Sequence, residues 1–310
     1  MTPLDQLINV LVTITLIGMM AAIGMSVQLS EVVATARNWR LVLQGSLANY
    51  VCVPAVTIGL LMLFRPVDPK VAVGFLILAV CPGAPFGPAC TAIAKGNVAT
   101  SVGLMVFLAG SSAIVAPLLM GLMLPWTSSG ETLEVEALKI VLTLVVTQLL
   151  PLCAGLAFRH WQPTLAERFQ KPANRASAVL GLATIALILV VQFHLVAGIG
   201  WRGWVGMSAL LIASWGFGWL LGGPGGDNRK AMALTTSLRN VCVGLVIATG
   251  SFANTAAVTA TLVYGIFEII GSILLSCVWG RIGTAPDGAG QDEVSPMSAV
   301  APSEVGTARG

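Results

Sequence analysis

Charged side chains are scarce in this sequence: Asp, Glu, Lys and Arg together make up 9% of its 310 residues. Soluble globular domains carry about 25% of these residues, so the composition excludes an ordinary soluble enzyme, a coiled coil and a disordered scaffold. The net charge of +3 is too small to indicate a polyanionic partner such as nucleic acid. Hydrophobic residues make up 56% of the chain, which predicts an all-α polytopic membrane protein in contact with membrane lipid.

Histidine is nearly absent, and the cysteines follow no metal-binding pattern. His160 and His194 are the only two histidines, and the six cysteines show no CxxC spacing. The cysteines all lie in apolar runs, where we expect them to be packing residues. The sequence contains no HExxH or GxGD motif, and no serine and histidine are predicted to lie at the same depth in the membrane. The sequence therefore predicts no metal site, no organic cofactor and no catalytic residue, hence no enzyme.

Nine apolar segments are long enough to cross a bilayer, which takes about 20 apolar residues. The sequence therefore predicts nine transmembrane helices in a transporter domain covering 1–282. Residues 283–310 are rich in Gly, Ala, Ser and Pro, which predicts a disordered cytoplasmic tail. Spans one to nine are 7–27, 41–64, 71–94, 98–124, 138–158, 176–196, 204–221, 231–251 and 256–279.

The distribution of basic residues predicts the orientation. If the N-terminus is outside, the inner loops and tail hold eleven of the sixteen Lys and Arg residues, and the outer loops hold four. The remaining one, Arg239, lies within span eight. This asymmetry predicts a multi-pass protein of the cell (inner) membrane with its C-terminus in the cytoplasm. The oligomeric state is left open.

Span three carries residues that interrupt a helix. Pro82, Pro85 and Pro88, with Gly83 and Gly87, lie in the segment CPGAPFGPAC (81–90). Proline lacks the backbone N–H and clashes with the preceding turn, so we expect a break at mid-membrane. Freed backbone groups must be satisfied by protein or by a water-filled cavity, which favours a binding site at the break.

Span eight is polar at a similar depth. The segment LTTSLRNV (234–241) places Thr235, Thr236, Ser237, Arg239 and Asn240 side by side, and such side chains compete with the backbone for hydrogen bonds, which favours unwinding. Spans three and eight are antiparallel because they are five spans apart, so spans one to four and six to nine would form inverted repeats. Paired interrupted helices are typical of a secondary-transporter binding site.

Two opposite charges lie in the predicted membrane interior, Arg239 in span eight and Glu268 in span nine. A lone charge there costs about 2.5–3.5 kcal/mol on insertion scales, so the two are expected to pair or to face a wet cavity. In a functional site, Arg239 would bind a substrate anion or act as a fixed cation, and Glu268 would hold Arg239 in place or titrate. Alternatively, the pair is purely structural. Asn49 and Asn240 are candidates for the site or for hydrogen bonds between helices.

Residues around both breaks form a recognisable pattern. In 81–104, the pattern comprises Pro82, Gly83, Lys95, Gly96, Asn97 and Ser101; in 238–252, it includes Asn240; and LANYVCVPA (47–55) contains Asn49 and Pro54. In these segments the chain resembles the bile acid:sodium symporter family. The resemblance implies a panel domain of spans one, five and six, a core domain of the other six spans, and two broken helices that cross.

The resemblance fails where the family binds sodium through side-chain oxygens. Asn49 and Ser101 retain an oxygen, but a guanidinium at a ligand position repels sodium. We therefore expect sodium coupling to be lost, with Arg239 supplying the positive charge and with transport proton-linked or passive. The replaced positions are Gly87 and Pro88 for the family Ser-Asn, Thr235 for Glu, Arg239 for Gln, and Met105 for a hydroxyl residue.

The leading hypothesis is a secondary transporter of a small organic anion that works by alternating access and without sodium. Arsenite efflux is an alternative, because Cys90-Thr91-Ala92 is similar to a segment of arsenite carriers in the same superfamily. A ligand sensor that no longer transports is another. The predicted substrate- or ion-binding residues are Arg239, Asn240, Glu268, Asn49, Thr235, Thr236, Ser101, Pro82, Gly83 and Pro88, with no metal ligand among them.

Overall fold

The computed structural model describes residues 3–126 and 137–282, and nearly all of them are helical. Within these ranges the one extended pairing is an isolated antiparallel bridge between Pro82 and Arg239. The predicted tail (283–310) lies outside the described residues. The α-helices are α1 (Pro3–Ser26), α2 (Leu29–Arg37), α3 (Trp39–Leu47), α4 (Val53–Leu63), α5 (Pro69–Ala79), α6 (Gly87–Ile93), α7 (Val98–Met123), α8 (Ala137–Leu144), α9 (Leu150–Trp161), α10 (Pro163–Val191), α11 (Phe193–Ala197), α12 (Trp201–Leu221), α13 (Gly226–Ser237), α14 (Val241–Ser251) and α15 (Ala256–Ile282).

Seven helices in the described ranges are long and apolar enough to cross a membrane, with mean hydropathy between 1.5 and 2.2. They overlap predicted spans one, two, four, five, six, seven and nine, which confirms a polytopic helical membrane protein, although the helix at span six starts thirteen residues earlier than predicted. The predicted spans 71–94 and 231–251 are each divided instead into two shorter helices. The seven are Pro3–Ser26, Trp39–Leu63, Val98–Met123, Leu138–Trp161, Pro163–Val191, Trp201–Leu221 and Ala256–Ile282.

The first break separates α5 from α6, where the prolines predict it. Pro82 and Pro85 lie in the non-helical stretch 80–86. Pro88 has a different role, because it lies in the first turn of α6. Backbone N–H groups in the first turn make no hydrogen bond within the helix, so proline is tolerated there. Gly83 has φ +87°, a conformation in which other residues are strained.

The second break separates α13 from α14 and needs no proline. Leu238 has extended backbone angles, and the side chain of Asn240 caps α14 by accepting from the Val243 N–H at 3.2 Å. The break is therefore short, and the polar residues Thr235 and Thr236 remain helical at the end of α13. Of the predicted polar run, only the end nearest α14 is unwound.

The two breaks meet and satisfy each other's backbone groups. The N–H of Asn240 donates to the carbonyl of Cys81 at 2.8 Å, and its side-chain amide donates to the carbonyl of Gly83 at 3.4 Å. Backbone groups freed in a membrane need such partners. The contact therefore holds two interrupted helices against each other at their non-helical centres.

The helices differ in their main packing partners. Helix α1 packs mainly against α9 and α10, whereas α12 packs on α13 and α5 packs on α15. The α1–α9 contact is close: a Cβ on Gly24 would lie 2.3 Å from the Leu152 carbonyl oxygen, and one on Gly155 would lie 2.3 Å from that of Ala21. Helix α1 also packs against α14.

Two π-helical segments interrupt otherwise continuous spans. They cover Ala48–Cys52, between α3 and α4, and Val145–Leu149, between α8 and α9. Each contains a buried amide, Asn49 or Gln148, and each precedes a helix with a proline in its first turn. Such segments are frequent at functional sites because they redirect side chains.

Candidate functional site

Arg239 lies at the crossing of the two breaks with 2% of its surface exposed. Its Nη1 donates to Asn49 Oδ1 at 3.1 Å and to the carbonyl of Ala79 at 3.4 Å. Asn49 in turn donates to Thr236 Oγ1 at 3.4 Å and to the Gly45 carbonyl at 2.9 Å. The structure thus brings together three predicted site residues from two separate spans.

Glu268 is fully buried on α15 and faces the main chain of the crossing. Its Oε1 accepts a hydrogen bond from the backbone N–H of Arg239 at 2.6 Å. Of the two predicted arrangements, a direct pair or a wet cavity, the direct pair is absent: among the described contacts, the guanidinium and the carboxylate form no ion pair. The physical reason is the break, which removes the helical partner of the Arg239 N–H and leaves it free to bind the carboxylate.

Two polar atoms in this cluster have no hydrogen-bond partner within the described structure. They are Arg239 Nη2 and Glu268 Oε2, and both are buried. Buried polar groups in folded proteins are nearly always bonded, so an unbonded one calls for a specific explanation. These two atoms are therefore the groups most available to a ligand or a proton.

A second cluster consists of hydroxyl groups beside the first break. Ser101 Oγ and Thr235 Oγ1 lie 3.1 Å apart, and Thr91 Oγ1 lies 3.1 Å from Ser101 Oγ and 2.9 Å from the Gly87 carbonyl oxygen. All three hydroxyl side chains are buried. Gly87 borders the cluster, because a Cβ there would lie 3.7 Å from Ser101 Oγ. The predicted residues Ser101 and Thr235 are brought together here, away from the Arg239 guanidinium contacts.

A cavity of ≈ 160 Å³ lies between α1, α10 and the crossing. Thr15 and Thr184, whose hydroxyl oxygens are 3.4 Å apart, add polar groups to a largely apolar wall. Arg239 and Asn240 contribute from the second break, and Pro85 and Phe86 from the first. The remaining lining residues are Val12, Met19, Ala178, Gly181, Leu182, Ile185, Val241, Cys242, Leu245 and Ile269.

Sequence reasoning missed Thr15, Thr184 and Gln148. Gln148 donates to the Ala109 carbonyl and, at 3.0 Å, to Ser112 Oγ, so it connects the π-helical segment before α9 with α7. The sequence offered one signal for these residues, a polar side chain within an apolar run. That signal did not show which neighbouring helix each side chain faces. Of the predicted residues, Pro82, Gly83 and Asn240 form the crossing, and Pro88 begins α6 without joining either cluster.

Oxygen atoms at positions where the resemblance implies sodium ligands already take part in hydrogen bonds. Sodium requires several free oxygen ligands, but the Ser101 and Thr235 hydroxyls bind each other. Asn49 Oδ1 accepts from the Arg239 guanidinium, so that oxygen is already bound to a positive group. A cation placed beside Asn49 would meet the positive charge of Arg239, which is unfavourable in a buried site.

The fold and the site together define a class: a multi-pass helical membrane protein in which two interrupted helices cross at a buried charged site. The family model described as "Sodium Bile acid symporter family" matches residues 13–199, more than half of the chain. The chain belongs to this family, which is one of transporters, and this confirms the resemblance found in the sequence.

Relatives with curated descriptions match over most of the chain. An uncharacterized sodium-dependent transporter, YocS, of Bacillus subtilis (strain 168) is 26% identical over 87% of this chain and 83% of its own length. The probable sodium/metabolite cotransporter BASS1, chloroplastic, of Arabidopsis thaliana is 26% identical, and the chain spans 65% of it. The probable sodium/metabolite cotransporter BASS2, chloroplastic, of Oryza sativa subsp. japonica is 22% identical, and the chain spans 64% of it.

Proposed function

We propose that this chain is a secondary transporter of an organic anion that works by alternating access and without sodium. One observation carries the proposal: the buried Arg239 guanidinium binds Asn49 Oδ1 at the crossing of the broken helices. The relatives' names refer to sodium, but here a permanent positive side chain lies at a position where the family resemblance implies a sodium ligand. A fixed cation attracts an anion and repels sodium.

The cavity beside the crossing suits an organic anion. Its wall is mostly apolar, and its polar groups are Thr15, Thr184, Asn240 and Arg239. Binding sites for small organic molecules are typically apolar with a few polar groups that fix orientation. The apolar wall would hold the body of the substrate, and Arg239 would attract its charged end.

We further propose nine membrane crossings. Helices α5 and α6 would form one interrupted crossing, and α13 and α14 another, in addition to the seven continuous spans. The panel would consist of spans 7–27, 138–158 and 176–196, and the core of the rest. The packing of α1 against α9 and α10 supports this division. The proposed orientation in the cell membrane, N-terminus outside, rests on the basic-residue asymmetry.

The structure has contacts between the proposed panel and core at one end of the bundle. Asn9 Oδ1 accepts from Thr249 Oγ1 at 3.1 Å, and Asp5 accepts from Asn254 near the start of α1. Gln192, just after α10, accepts from Thr259. These bonds lie at the end predicted to face outward, so we infer that this end is closed and that the bonds must break for it to open.

The function is tested by ligand-induced thermal stabilisation of the purified protein. Pyruvate, succinate, benzenesulfonate and taurocholate are compared in sodium buffer and in sodium-free choline buffer. A ligand that binds the folded state raises its stability whichever way transport runs. We expect at least one anion to stabilise the protein equally in both buffers. Stabilisation that requires sodium would contradict the proposal.

Cross-linking the panel to the core is expected to stop transport. In the variant with Asn9→Cys and Thr249→Cys, oxidation would join two side chains whose oxygens lie 3.1 Å apart. The outward-facing state would then be inaccessible, and proteoliposome uptake of the stabilising anion should fall to background and recover after reduction. Each single-cysteine variant controls for the substitution itself.

A matched cross-link within the core provides the contrast. Asn97 and Asn228 are hydrogen bonded at 2.9 Å, and both lie in the proposed core. Oxidation of the variant with Asn97→Cys and Asn228→Cys should leave uptake unchanged. Full uptake by the oxidised Asn9/Thr249 pair, with the cross-link verified by mass, would show that the two groups of helices do not move apart there.

The alternatives receive less support from the site. Cys90, central to the arsenite hypothesis, packs with Ala84, Ala94, Leu234 and Leu238 and is not among the residues lining the cavity. A cell carrying Cys90→Ser should therefore have unchanged arsenite tolerance. A non-transporting sensor would bind an anion in the stabilisation assay without any uptake by proteoliposomes.

A further inference from the structure

Glu268 combines complete burial with an unsatisfied oxygen. It lies in the middle of α15 with none of its surface exposed. Oε1 accepts from the Arg239 N–H, whereas Oε2 is buried without a partner. An ionised oxygen with no donor is unfavourable in such a place, and a protonated carboxyl group is neutral. The geometry thus provides one atom, Oε2, at which a proton can bind.

Arg239 is the charged group that acts on Glu268 across the crossing. Its guanidinium binds Asn49 and the Ala79 carbonyl, and Nη2 is free of partners among the described residues. Tyr264 is the titratable neighbour one turn away on α15. The helices packed against α15 also carry the thiols Cys90 and Cys242. Their other titratable side chains are Lys70, Glu167, Arg168, Lys171, Arg175, His194, Arg202, Asp227, Arg229 and Lys230.

A line of polar side chains extends from Glu268 along one face of α15. Tyr264, Glu268, Ser272 and Ser276 are spaced four residues apart, so they share that face, and all are buried. Ser272 Oγ lies 3.1 Å from Ser237 Oγ. The hydroxyl groups continue from Glu268 towards the C-terminal end of α15, which is the predicted cytoplasmic end. None of these hydroxyl groups is hydrogen bonded to Glu268 Oε2, which has no partner in the described structure.

We propose that Glu268 binds a proton at Oε2 and that this proton travels with the anion, making the protein a proton–anion symporter. The inference rests on the proposed anion transport. When Glu268 is ionised, it neutralises Arg239, and the empty site carries no net charge. When it is protonated, the charge of Arg239 is uncompensated and attracts the anion.

The charge balance explains why the two ions would move together. The empty site (Arg239 positive, Glu268 negative) and the fully loaded site (Arg239 positive, Glu268 neutral, anion bound) both have zero net charge. A site carrying only the proton or only a monovalent anion has a net charge of one, which is costly within the membrane. By linkage, protonation strengthens anion binding, and anion binding favours protonation to the same extent.

The direct test needs no substrate. Infrared difference spectra of the purified protein in sodium-free buffer would be recorded from about pH 9 to 5, following the carbonyl band of a protonated carboxylic acid. We expect a band that is lost in Glu268→Gln and kept in Glu167→Gln, because Glu167 is exposed. Glutamine can still accept from the Arg239 N–H. No such band in the wild type, or an unchanged band in Glu268→Gln, would overturn the proposal.

The coupling is tested with pyruvate and benzenesulfonate, which stay ionised throughout this range. Their affinities for the wild type should be about 5–150-fold higher in acidic than in alkaline buffer, and Glu268→Gln should remove that dependence. Unchanged pH dependence in Glu268→Gln would refute the coupling. If neither probe stabilises the protein, the result contradicts the proposed anion binding. The infrared measurement tests the proton site independently of that result.

Discussion

Replacing Arg239 with glutamine is expected to abolish anion binding and to lower stability by about 1–3 kcal/mol. The substitution removes the fixed positive charge of the crossing, and in alkaline buffer it leaves Glu268 as a buried carboxylate without a countercharge. Asn49 Oδ1 and the Ala79 carbonyl also lose their donor. Chemical unfolding and the thermal stabilisation assay with pyruvate and benzenesulfonate measure the two effects.

The double variant separates the charge effect from the loss of packing. Adding Glu268→Gln to Arg239→Gln removes the uncompensated carboxylate, so part of the lost stability should return, and the two substitutions should be non-additive. The matched control is Arg168→Gln, because Arg168 is exposed on α10 and its loss should change neither stability nor anion binding. Anion affinity in Arg239→Gln equal to that of the wild type would contradict the role of Arg239.

Replacing Gly83 with alanine is expected to destabilise the crossing by about 2–5 kcal/mol. Gly83 has φ +87°, which costs other residues about 1–2 kcal/mol. A Cβ there would also lie 2.5 Å from the Ala109 backbone nitrogen, and backbone atoms of α7 cannot move away easily. We expect Gly83→Ala to lose anion binding together with stability.

Gly59 offers a matched control for the same substitution. It lies within α4, and no atom lies within 4 Å of the position its Cβ would take. Gly59→Ala should therefore be neutral or stabilising by about 0.5–1 kcal/mol. If Gly83→Ala were as stable and as active as Gly59→Ala, the first break could not pack as closely against α7 as the structure indicates.

Much of the architecture was predictable because single residue types determine it. Long apolar runs identify the continuous spans, and Pro82 and Pro85 stop α5 as proline chemistry requires. The second break was indicated only by a polar run, so its limits could not be placed, and Thr235 and Thr236 remain helical. Whether there are nine crossings, and whether they divide into panel and core, stays a prediction.

Which residues form the binding site stays a prediction, and their contacts could not be predicted from the sequence. Charged residues within membrane spans are costly and usually functional, which points to Arg239 and Glu268. The sequence does not show that the carboxylate accepts from the Arg239 N–H while the guanidinium donates to Asn49. Thr15 and Thr184 reach the cavity from α1 and α10 through long-range packing. Periodicity on an apolar helix does not single out such residues, because both faces are hydrophobic.

Equilibrium binding of radioactive sodium to the purified protein is the measurement that addresses the role of Arg239 most directly. It requires no knowledge of the substrate. Because Arg239 occupies the crossing and the Ser101 and Thr235 hydroxyls bind each other, we expect no saturable sodium binding, either alone or with pyruvate or benzenesulfonate present. Saturable sodium binding that disappears in Asn49→Ala would contradict this expectation and would show that a cation site persists beside the guanidinium.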